Sequence, residues 1–425
     1  MERYDVIVLG GGPAGLAAAL SSFDKGMKTL IIEREHRLGG ILKQCIHDGF
    51  GLVKFKEKLT GPEYAERFIK MVREKEIPVL MNTFVIKVEK NHAGFELTVV
   101  NAKSGVEKVE TKSLILATGC RERTSKQIFI NGTRPAGVYS AGTAQQLVNI
   151  EGYIPGKQCV ILGSGDIGLI MARRLTLEGA RVTGVYEAKS TPSGLSRNIA
   201  QCLNDFDIPL HLSTTITRVF GADRVEAVET ARVDENMQPI KGTEQIISCD
   251  CVILSVGLIP ENEMAEMLEI KIDPTTKGPV VDQNCMTSVE GVFSCGNALH
   301  VNDLVDYVSE SGEIAGQNAA EYVKGTQPGS YLTIKAEGND FLYVVPQLIN
   351  IQAPNQNVIL YFRSREDRDD MRVTIKAGEK VLVSKKYMKL KPPEMERVRF
   401  DLKGDLAVGE LVISMESAKD KGVSK

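Results

Sequence analysis

The sequence has no strong excess of charge of either sign and no long apolar run. It carries 52 basic and 55 acidic residues, a formal net charge of -3, whereas nucleic-acid binding requires a broad basic surface. No apolar stretch approaches the roughly 20 residues that a membrane span needs. The first residues, MERYDVIVLGGG, leave no room for a signal peptide. We therefore expect a cytoplasmic protein with no nucleic-acid partner and no membrane span.

Cysteine is scarce and scattered, which argues against a disulfide framework. The eight cysteines lack the dense, regular spacing of small secreted domains. Cys249 and Cys251 form a CxC pair, but no cluster of further cysteines or histidines flanks them. We expect mostly buried thiols in a reducing compartment and no metal site. The cysteines are Cys45, Cys120, Cys159, Cys202, Cys249, Cys251, Cys285 and Cys295.

What the sequence does contain is a glycine-rich turn after its first apolar run. Residues 5–9 are mainly apolar and rich in β-branched side chains, GGGPAG follows, and an Ala/Leu-rich segment comes next, which predicts strand, tight turn and helix. Gly10 permits the turn, Gly12 lets the backbone approach a pyrophosphate, and Gly15 lets helix and strand pack closely. The next predicted strand, MKTLIIE, ends in Glu33, whose carboxylate can accept hydrogen bonds from both ribose hydroxyls. This pattern predicts a dinucleotide site.

The same pattern occurs a second time. KQCVILGSGDIG contains Gly163, Gly165 and Gly168, a predicted helix follows, and the strand ARVTGVYE ends in Glu187. An acidic residue at that place repels a 2′-phosphate, so we expect NAD rather than NADP, a preference that Lys189 could weaken. Two dinucleotide units in one chain are the layout of a flavoprotein that exchanges hydride with a nicotinamide.

Further segments extend the pattern and support a family assignment. SLILATGC, CVILSVGLIPEN and GVFSCGNALHVNDLVD fit the same architecture. The chain resembles the two-dinucleotide-binding-domain flavoproteins, the pyridine nucleotide-disulfide oxidoreductase superfamily, from about residue 4 to residue 325. RPAGVYSAGTAQQL and CIHDGFGL resemble the FAD/NAD subunits of opine oxidase, of hydrogen cyanide synthase and of anaerobic glycerol 3-phosphate dehydrogenase systems.

The resemblance implies FAD in the first unit and NAD(H) in the second. Asn297 stands where the family has aspartate, so its amide can accept a bond from a ribitol hydroxyl without bringing charge. A helix predicted in SESGEIAGQNAAEYV would direct its N-terminus at the flavin. The implied FAD residues are Gly10, Gly12, Pro13, Ala14, Gly15, Glu33, Arg34, Gly39, Gly40, Ala117, Thr118, Gly119, Gly296 and Asn297. The implied NAD residues are Gly163, Gly165, Asp166, Ile167, Gly168, Glu187 and Gly257.

Cys45 and His47 are the candidate catalytic side chains. Disulfide reduction needs two thiols that reach each other, but the next cysteine is Cys120, and SAGT stands where relatives similar to thioredoxin reductase carry CxxC. A single redox thiol is the alternative, with His47 lowering the pKa of Cys45. We favour a third interpretation, in which Gly39 and Gly40 let the backbone pass the flavin and the residues after them line the cavity beside it.

From Tyr331 onward the pattern changes to alternation of apolar and polar residues. Runs such as LTIKAEG, NVILYFRS and GELVISM, bounded by Gly, Pro and Asn, predict a small antiparallel β-sandwich. It either docks a partner chain or only caps the flavin domain. The expected fold class is α/β, with two Rossmann-like domains of the three-layer ββα type and this sandwich. The expected domains are residues 1–122 with 260–328 for FAD, 123–259 for NAD and 331–425 for the β-rich part.

The expected function is an FAD-dependent NAD(H) oxidoreductase. It passes electrons between nicotinamide, flavin and a partner dehydrogenase subunit in a heteromeric complex, and the resemblance implies glycerol 3-phosphate metabolism. One alternative is a stand-alone NADH oxidase or peroxidase that uses Cys45. Another is a non-enzymatic module that senses dinucleotides.

Overall fold

The computed structural model describes residues 2–326, 329–353, 357–402 and 409–418. The chain forms two compact units. The first takes in the described residues up to Cys120 and from Pro260 onward, and the second runs from Arg121 to Ile259. Two short strands, Cys120–Glu122 and Leu258–Pro260, lie where the chain passes from one unit to the other.

The main sheet of the first unit combines a parallel part with an antiparallel meander. Glu2–Leu9 lies between two parallel neighbours, and the long strand Gly105–Leu116 belongs to both parts of the sheet. Val292–Ser294 extends the parallel part beside the end of that long strand. The strands are Glu2–Leu9, Thr29–Ile32, Val79–Leu80, Thr83–Asn91, Gly94–Asn101, Gly105–Leu116 and Val292–Ser294.

Both faces of this sheet are covered, which makes three layers. Val6 and Val8 join the core under the helices, whereas Ile7 and Leu9 join the core under the meander. A strand buried on both faces has few polar residues, which is why residues 6–9 form a continuous apolar run.

Close helix packing on one face depends on small residues. Helices Pro13–Asp24 and Val305–Val323 approach so closely that a Cβ on Gly312 or Gly316 would overlap a backbone carbonyl of the other helix. The second of these helices begins at Val305, earlier than its small-residue stretch suggests. The other elements here are Gly61–Glu74, which starts with a Thr60/Glu63 capping box, Glu263–Met267, the 3₁₀ turns Gly40–Gln44 and Gly296–Ala298, and the strands Asp48–Phe50 and Leu59–Thr60.

The second unit repeats the Rossmann pattern on a smaller scale. Its five-stranded parallel sheet is covered by helices on one face and by a four-stranded sheet on the other. The parallel strands, in spatial order, are Val138–Ser140, Cys251–Leu254, Gln158–Leu162, Arg181–Tyr186 and Leu210–His211. The helical elements are Ala141–Asn149, Asp166–Leu177, Ser196–Cys202 and the 3₁₀ turn Asn204–Phe206. The covering strands are Asn131–Gly132, Thr214–Phe220, Ala227–Arg232 and Gln245–Ser248.

Two further sheets in the first unit form the predicted β-rich ending around a core of their own. All pairs are antiparallel except Tyr331–Ala336 with Glu410–Ser417, which is parallel. The five-stranded sheet has Leu348–Asn350, Tyr331–Ala336, Glu410–Ser417, Arg368–Ala377 and Lys380–Leu390. The three-stranded sheet has Phe341–Val345, Asn357–Ser364 and Met395–Asp401. The predicted fold class is confirmed. No helix in the described part of the chain is long and apolar enough to cross a membrane.

Candidate functional site

The first glycine turn contains two glycines that the protein itself requires. Gly10 has φ of +106°, and a Cβ there would overlap the carbonyl oxygen of Ala117. A Cβ on Gly15 would overlap the carbonyl oxygen of Gly10. These positions therefore hold strand, turn and helix together, as the spacing predicts.

Gly12 differs, because nothing in the protein requires its missing side chain. Its φ of -79° suits any residue, and the nearest atom to a Cβ there would be the Cα of Gly40, at 3.8 Å. Gly12 is the N-cap of the helix Pro13–Asp24 and offers no capping oxygen. The open space therefore lies at a helix N-terminus, where N–H groups and the helix dipole favour a phosphate.

The Gly39–Gly40 pair passes directly beside this turn. Gly39 N donates to Gly11 O at 2.8 Å, and a Cβ on Gly40 would lie 3.0 Å from the Cα of Gly12. Both glycines have positive φ. The backbone at Gly39 and Gly40, five residues before CIHDGFGL, therefore lies against the glycine turn.

Glu33 is buried and already binds the turn. Its Oε2 accepts from Gly11 N at 2.7 Å and its Oε1 accepts from Glu35 N at 2.8 Å. Each carboxylate oxygen retains a lone pair that a ribose hydroxyl could use. Arg34, which the resemblance assigns to FAD, pairs with Glu261 at 3.0 Å.

The segments around Gly119 and Gly296 border the same turn. Thr118 Oγ1 donates to Glu261 O at 2.6 Å, and Gly296 is so close to the first helix that its Cβ would lie 2.8 Å from Ala14 Cβ. Asn297 Nδ2 donates to Cys120 Sγ at 3.5 Å. Asn297 thus donates a hydrogen bond to Cys120. An ionised aspartate at this position could not donate such a bond.

The second glycine turn has the same geometry, with Ser255 in the place of Ala117. A Cβ on Gly163 would overlap Ser255 O, and Gly168 N donates to Ser255 Oγ at 3.0 Å. A Cβ on Gly165, the N-cap of Asp166–Leu177, would have Ser255 Oγ at 3.6 Å as its nearest atom. This turn too leaves open space at a helix N-terminus.

The neighbours of Gly165 are engaged within the second unit. Asp166 Oδ1 accepts from Leu195 N at 2.9 Å and from Asn198 Nδ2 at 2.7 Å. Ile167 packs against the core under the parallel sheet. Gly257 has φ of +104°, and its carbonyl oxygen accepts a hydrogen bond from Arg123 N at 3.1 Å.

Glu187 reproduces the role of Glu33. Its Oε2 accepts from Ser164 N at 3.0 Å and from Ser164 Oγ at 2.6 Å, while its Oε1 accepts from Lys189 N at 3.0 Å. Each acidic residue therefore joins the end of its strand to its own glycine turn. This structural role was not predicted from the sequence, and neither was Ser255. The parallel between SLILATG and CVILSVG is the sequence signal that could have identified Ser255.

Cys45, one of the two candidate catalytic residues, has a half-buried side chain. Desolvation by burial raises the pKa of Cys45 to about 12. Its Sγ donates to Ile41 O at 3.4 Å, and its backbone carbonyl accepts from Gly61 N at 2.9 Å. The His47 ring lies 4.9 Å from the ring of Phe50, with Nδ1 3.2 Å from Asp48 O. The direction of this pKa shift disfavours the thiolate form of Cys45.

The residues of both turns fit dinucleotides. Each unit has an open glycine at a helix N-terminus and a buried glutamate at the end of the next strand. Within the described ranges no group of three or more His, Cys, Asp or Glu side chains could hold a metal ion.

Comparison with known proteins identifies a family. The profile of the pyridine nucleotide-disulphide oxidoreductases matches residues 4–321. Hydrogen cyanide synthase subunit HcnB of Pseudomonas protegens is 27% identical over 62% of this chain, and the match spans 59% of the length of HcnB. Ferredoxin–NADP reductase 1 of Bacillus mycoides is 26% identical over 77% of this chain and 91% of its own length.

Solved structures share the fold. Thioredoxin reductase of T. acidophilum superimposes with a TM-score of 0.62 at 20% identity, covering 76% of this chain and 100% of its own. The bacillithiol disulfide reductase of Bacillus cereus gives a TM-score of 0.59 at 19% identity, covering 76% of this chain and 99% of its own.

Proposed function

The chain belongs to the pyridine nucleotide-disulphide oxidoreductase family, and from this premise we propose that it is the NAD(H)-reactive subunit of a larger dehydrogenase. Members of the family bind FAD and NAD(P)H, and the chain is an FAD-dependent pyridine nucleotide oxidoreductase. The new content of the proposal concerns which residues hold each cofactor, which nicotinamide is used, and where the electrons go.

The first glycine turn holds FAD and the second holds NAD(H) in this proposal. The observation that carries it is the pair of open glycines, Gly12 and Gly165, each at a helix N-terminus beside a turn that glutamate ties together. Gly12 and Gly165 let a pyrophosphate approach, Glu33 and Glu187 accept ribose hydroxyls, and Gly296 with Asn297 closes the FAD side. Bound FAD supplies the redox chemistry by exchanging hydride with the nicotinamide.

NAD is preferred over NADP. Glu187 is buried at the end of its strand, and its carboxylate disfavours a second anionic group at the ribose 2′ position. Lys189 follows two residues later, and its backbone N–H donates to the carboxylate of Glu187. The carboxylate and the lysine therefore lie at the same end of the strand.

The electron partner is a second dehydrogenase subunit, and cysteine chemistry within this chain is not required. HcnB is by its name a subunit of a synthase, and the motifs CIHDGFGL and RPAGVYSAGTAQQL support a related assembly that acts on glycerol 3-phosphate or a similar small substrate. The raised pKa of Cys45 argues against the alternative of a stand-alone peroxidase.

Purification from the native source tests this proposal. We expect yellow protein that co-purifies in constant ratio with one further flavoprotein or dehydrogenase chain, and a complex that reduces NAD when glycerol 3-phosphate is supplied. Repeated recovery of this chain alone, with full NADH oxidase activity, would contradict the subunit role while leaving the cofactor assignment intact.

A further inference from the structure

The C-terminal sheets contact the stretch that leads from Asn297 to the helix Val305–Val323. We call this stretch the 297–306 segment. It begins beside the first glycine turn, because Gly296 packs against Ala14, and it ends at the N-terminus of the helix. Its position therefore decides the shape of one border of that turn.

Asp303 is the point at which the segment is held. Its Oδ1 pairs with Arg363 Nη2, and its Oδ2 accepts from Met395 N at 2.6 Å. Both partners belong to the three-stranded C-terminal sheet. One carboxylate thus makes contacts to two neighbouring strands of the β-rich part.

The side chain of Arg363 is held in one position by several hydrogen bonds. Its side chain is 12% exposed, and its other nitrogens donate to Tyr343 OH at 3.0 Å and to the backbone carbonyls of Pro392 and Pro393. The guanidinium is therefore held by three groups of the C-terminal part in addition to Asp303. A planar donor held in this way sets the position of a carboxylate closely.

The residue next to Asp303 in the chain is hydrogen-bonded to Asn297. Asn302, next to Asp303, donates its backbone N–H to Asn297 Oδ1 at 3.0 Å, and Asn297 in turn donates to Cys120 Sγ. Any displacement of Asp303 would move the partner of Asn297. The amide orientation at the FAD side of the first unit thus depends on a contact made by the C-terminal part.

His300, in the same segment, packs against the three-stranded C-terminal sheet. It is 2% exposed and lies between the rings of Tyr343 and Tyr361, at 5.9 and 5.4 Å. Its Nδ1 has no hydrogen-bond partner among the described residues. Burial lowers the pKa of His300 to about 4, so the ring packs as a neutral group.

A second anchor lies farther along the helix and offers a control. Glu310 pairs with Arg397 at 2.9 Å and with Arg399, and it accepts from Tyr361 OH at 3.1 Å. This anchor joins the same two parts of the first unit. Arg399 pairs with Glu310, which lies outside the 297–306 segment.

We propose that Arg363 and Asp303 are positioning residues for the flavin, and that the C-terminal β-rich part serves to set the 297–306 segment at the FAD site. The inference rests on the proposed assignment of FAD to the first unit. It extends that assignment by giving the C-terminal part a role in cofactor binding and tuning.

The test compares Arg363→Gln with Arg399→Gln in the full chain carrying FAD. We expect Arg363→Gln to raise the FAD dissociation constant roughly tenfold and to shift both the flavin absorption spectrum and its midpoint potential. Arg399→Gln removes one ion pair of the same interface and should leave the FAD dissociation constant within about twofold of the parent, with the flavin spectrum and midpoint potential unchanged. Arg363→Lys, which keeps the charge but not the fork, should recover part of the loss.

Equal effects of the two glutamine variants, or no effect of Arg363→Gln on potential and spectrum, would overturn the inference. Asp303→Asn provides a second variant if Arg363→Gln does not fold, because the amide keeps an acceptor for Met395 N and removes only the charge. We expect the same direction of change, and parent-like FAD affinity and potential would also overturn the inference. If neither variant folds, the pair is a folding determinant and the positioning role is rejected. A parent protein that binds no FAD would instead refute the proposed function itself.

Discussion

At the scale of a residue, the surroundings of Cys45 influence the chemistry that its thiol can perform. From the sequence alone, a cysteine two positions before a histidine leaves an activated thiol open as an alternative to a residue that lines the cavity beside the flavin. In the structure the thiol donates to Ile41 O, and burial raises its pKa to about 12. Neighbouring residues that a sequence pattern cannot place, here the helix that starts at Gly61, determine this outcome.

Replacement of Cys45 by serine should therefore leave catalysis largely intact. We expect NADH oxidation with artificial acceptors and with hydrogen peroxide to remain within about twofold of the parent, because a protonated thiol takes no part in either. Steady-state assays with both acceptors check this. Selective loss of peroxide turnover in Cys45→Ser would show that the thiol is a redox group after all.

Asp282 is a buried acid that makes the free energy of unfolding depend on pH. It is 1% exposed, Oδ1 accepts from the backbone of Asn284 and Met286, and Oδ2 has no partner among the described residues. Desolvation raises the pKa of Asp282 from 3.8 to about 7. Tyr331 and Cys285 face it, and because their own pKa values are raised they stay neutral in this range.

This shift predicts a specific pH dependence of stability. Between about pH 4 and pH 7 the unfolded chain has released the proton while the folded chain keeps it, so stability falls as pH rises. Three pH units at roughly 1.4 kcal/mol each give a loss of up to about 4 kcal/mol. Asp282→Asn should remove this slope, which denaturant unfolding at pH 5 and pH 8 can measure. Parallel pH profiles for parent and variant would count against a raised pKa.

At the scale of elements, the glycine turns divide into positions that serve the fold and positions that serve a ligand. Gly10 and Gly15 have backbone atoms where a Cβ would lie, whereas Gly12 and Gly165 face open space. The sequence predicts all of them equally from one spacing. Only the structure separates the two classes, because the separation depends on neighbours such as Ala117 and Ser255 from distant strands.

Alanine substitutions use this difference to test the two sites separately. Gly12→Ala should keep a folded chain and lose FAD, and Gly165→Ala should keep FAD and weaken NADH binding at least about tenfold, because a methyl group fills the place of a phosphate. Gly15→Ala is the contrasting variant and should unfold more readily by a few kcal/mol. Flavin content, NADH titration and thermal unfolding are the measurements. Normal cofactor binding in both open-glycine variants would refute the site assignment.

Strands and helices next to a strong motif were predictable, and their exact ends were not. The helix Val305–Val323 starts before its small residues, and in its first turn Asp306 accepts from Lys54 N at 2.7 Å, a contact 252 residues apart in the sequence. The parallel pair Tyr331–Ala336 with Glu410–Ser417 was missed because alternation shows that a strand is half-buried but not which strand lies beside it.

At the scale of the whole molecule, duplication carries most of what the sequence reveals. Two glycine turns, each followed by a strand that ends in glutamate, predict two Rossmann-type units, and the fold confirms this. The contacts that tie the C-terminal sheets to the rest of the first unit, such as Arg363 with Asp303, join residues far apart in the chain. A surface arginine and a bonded arginine look alike in a sequence, so no pattern could predict this attachment.

Anaerobic titration of the purified, FAD-containing protein with NADH tests the central claim most directly. The account predicts that one equivalent of NADH bleaches the oxidised flavin bands, that NADPH does so far more slowly, and that Cys45→Ser behaves as the parent does. Protein that binds FAD yet keeps its flavin spectrum in the presence of excess NADH, or that holds no flavin at all, would contradict it.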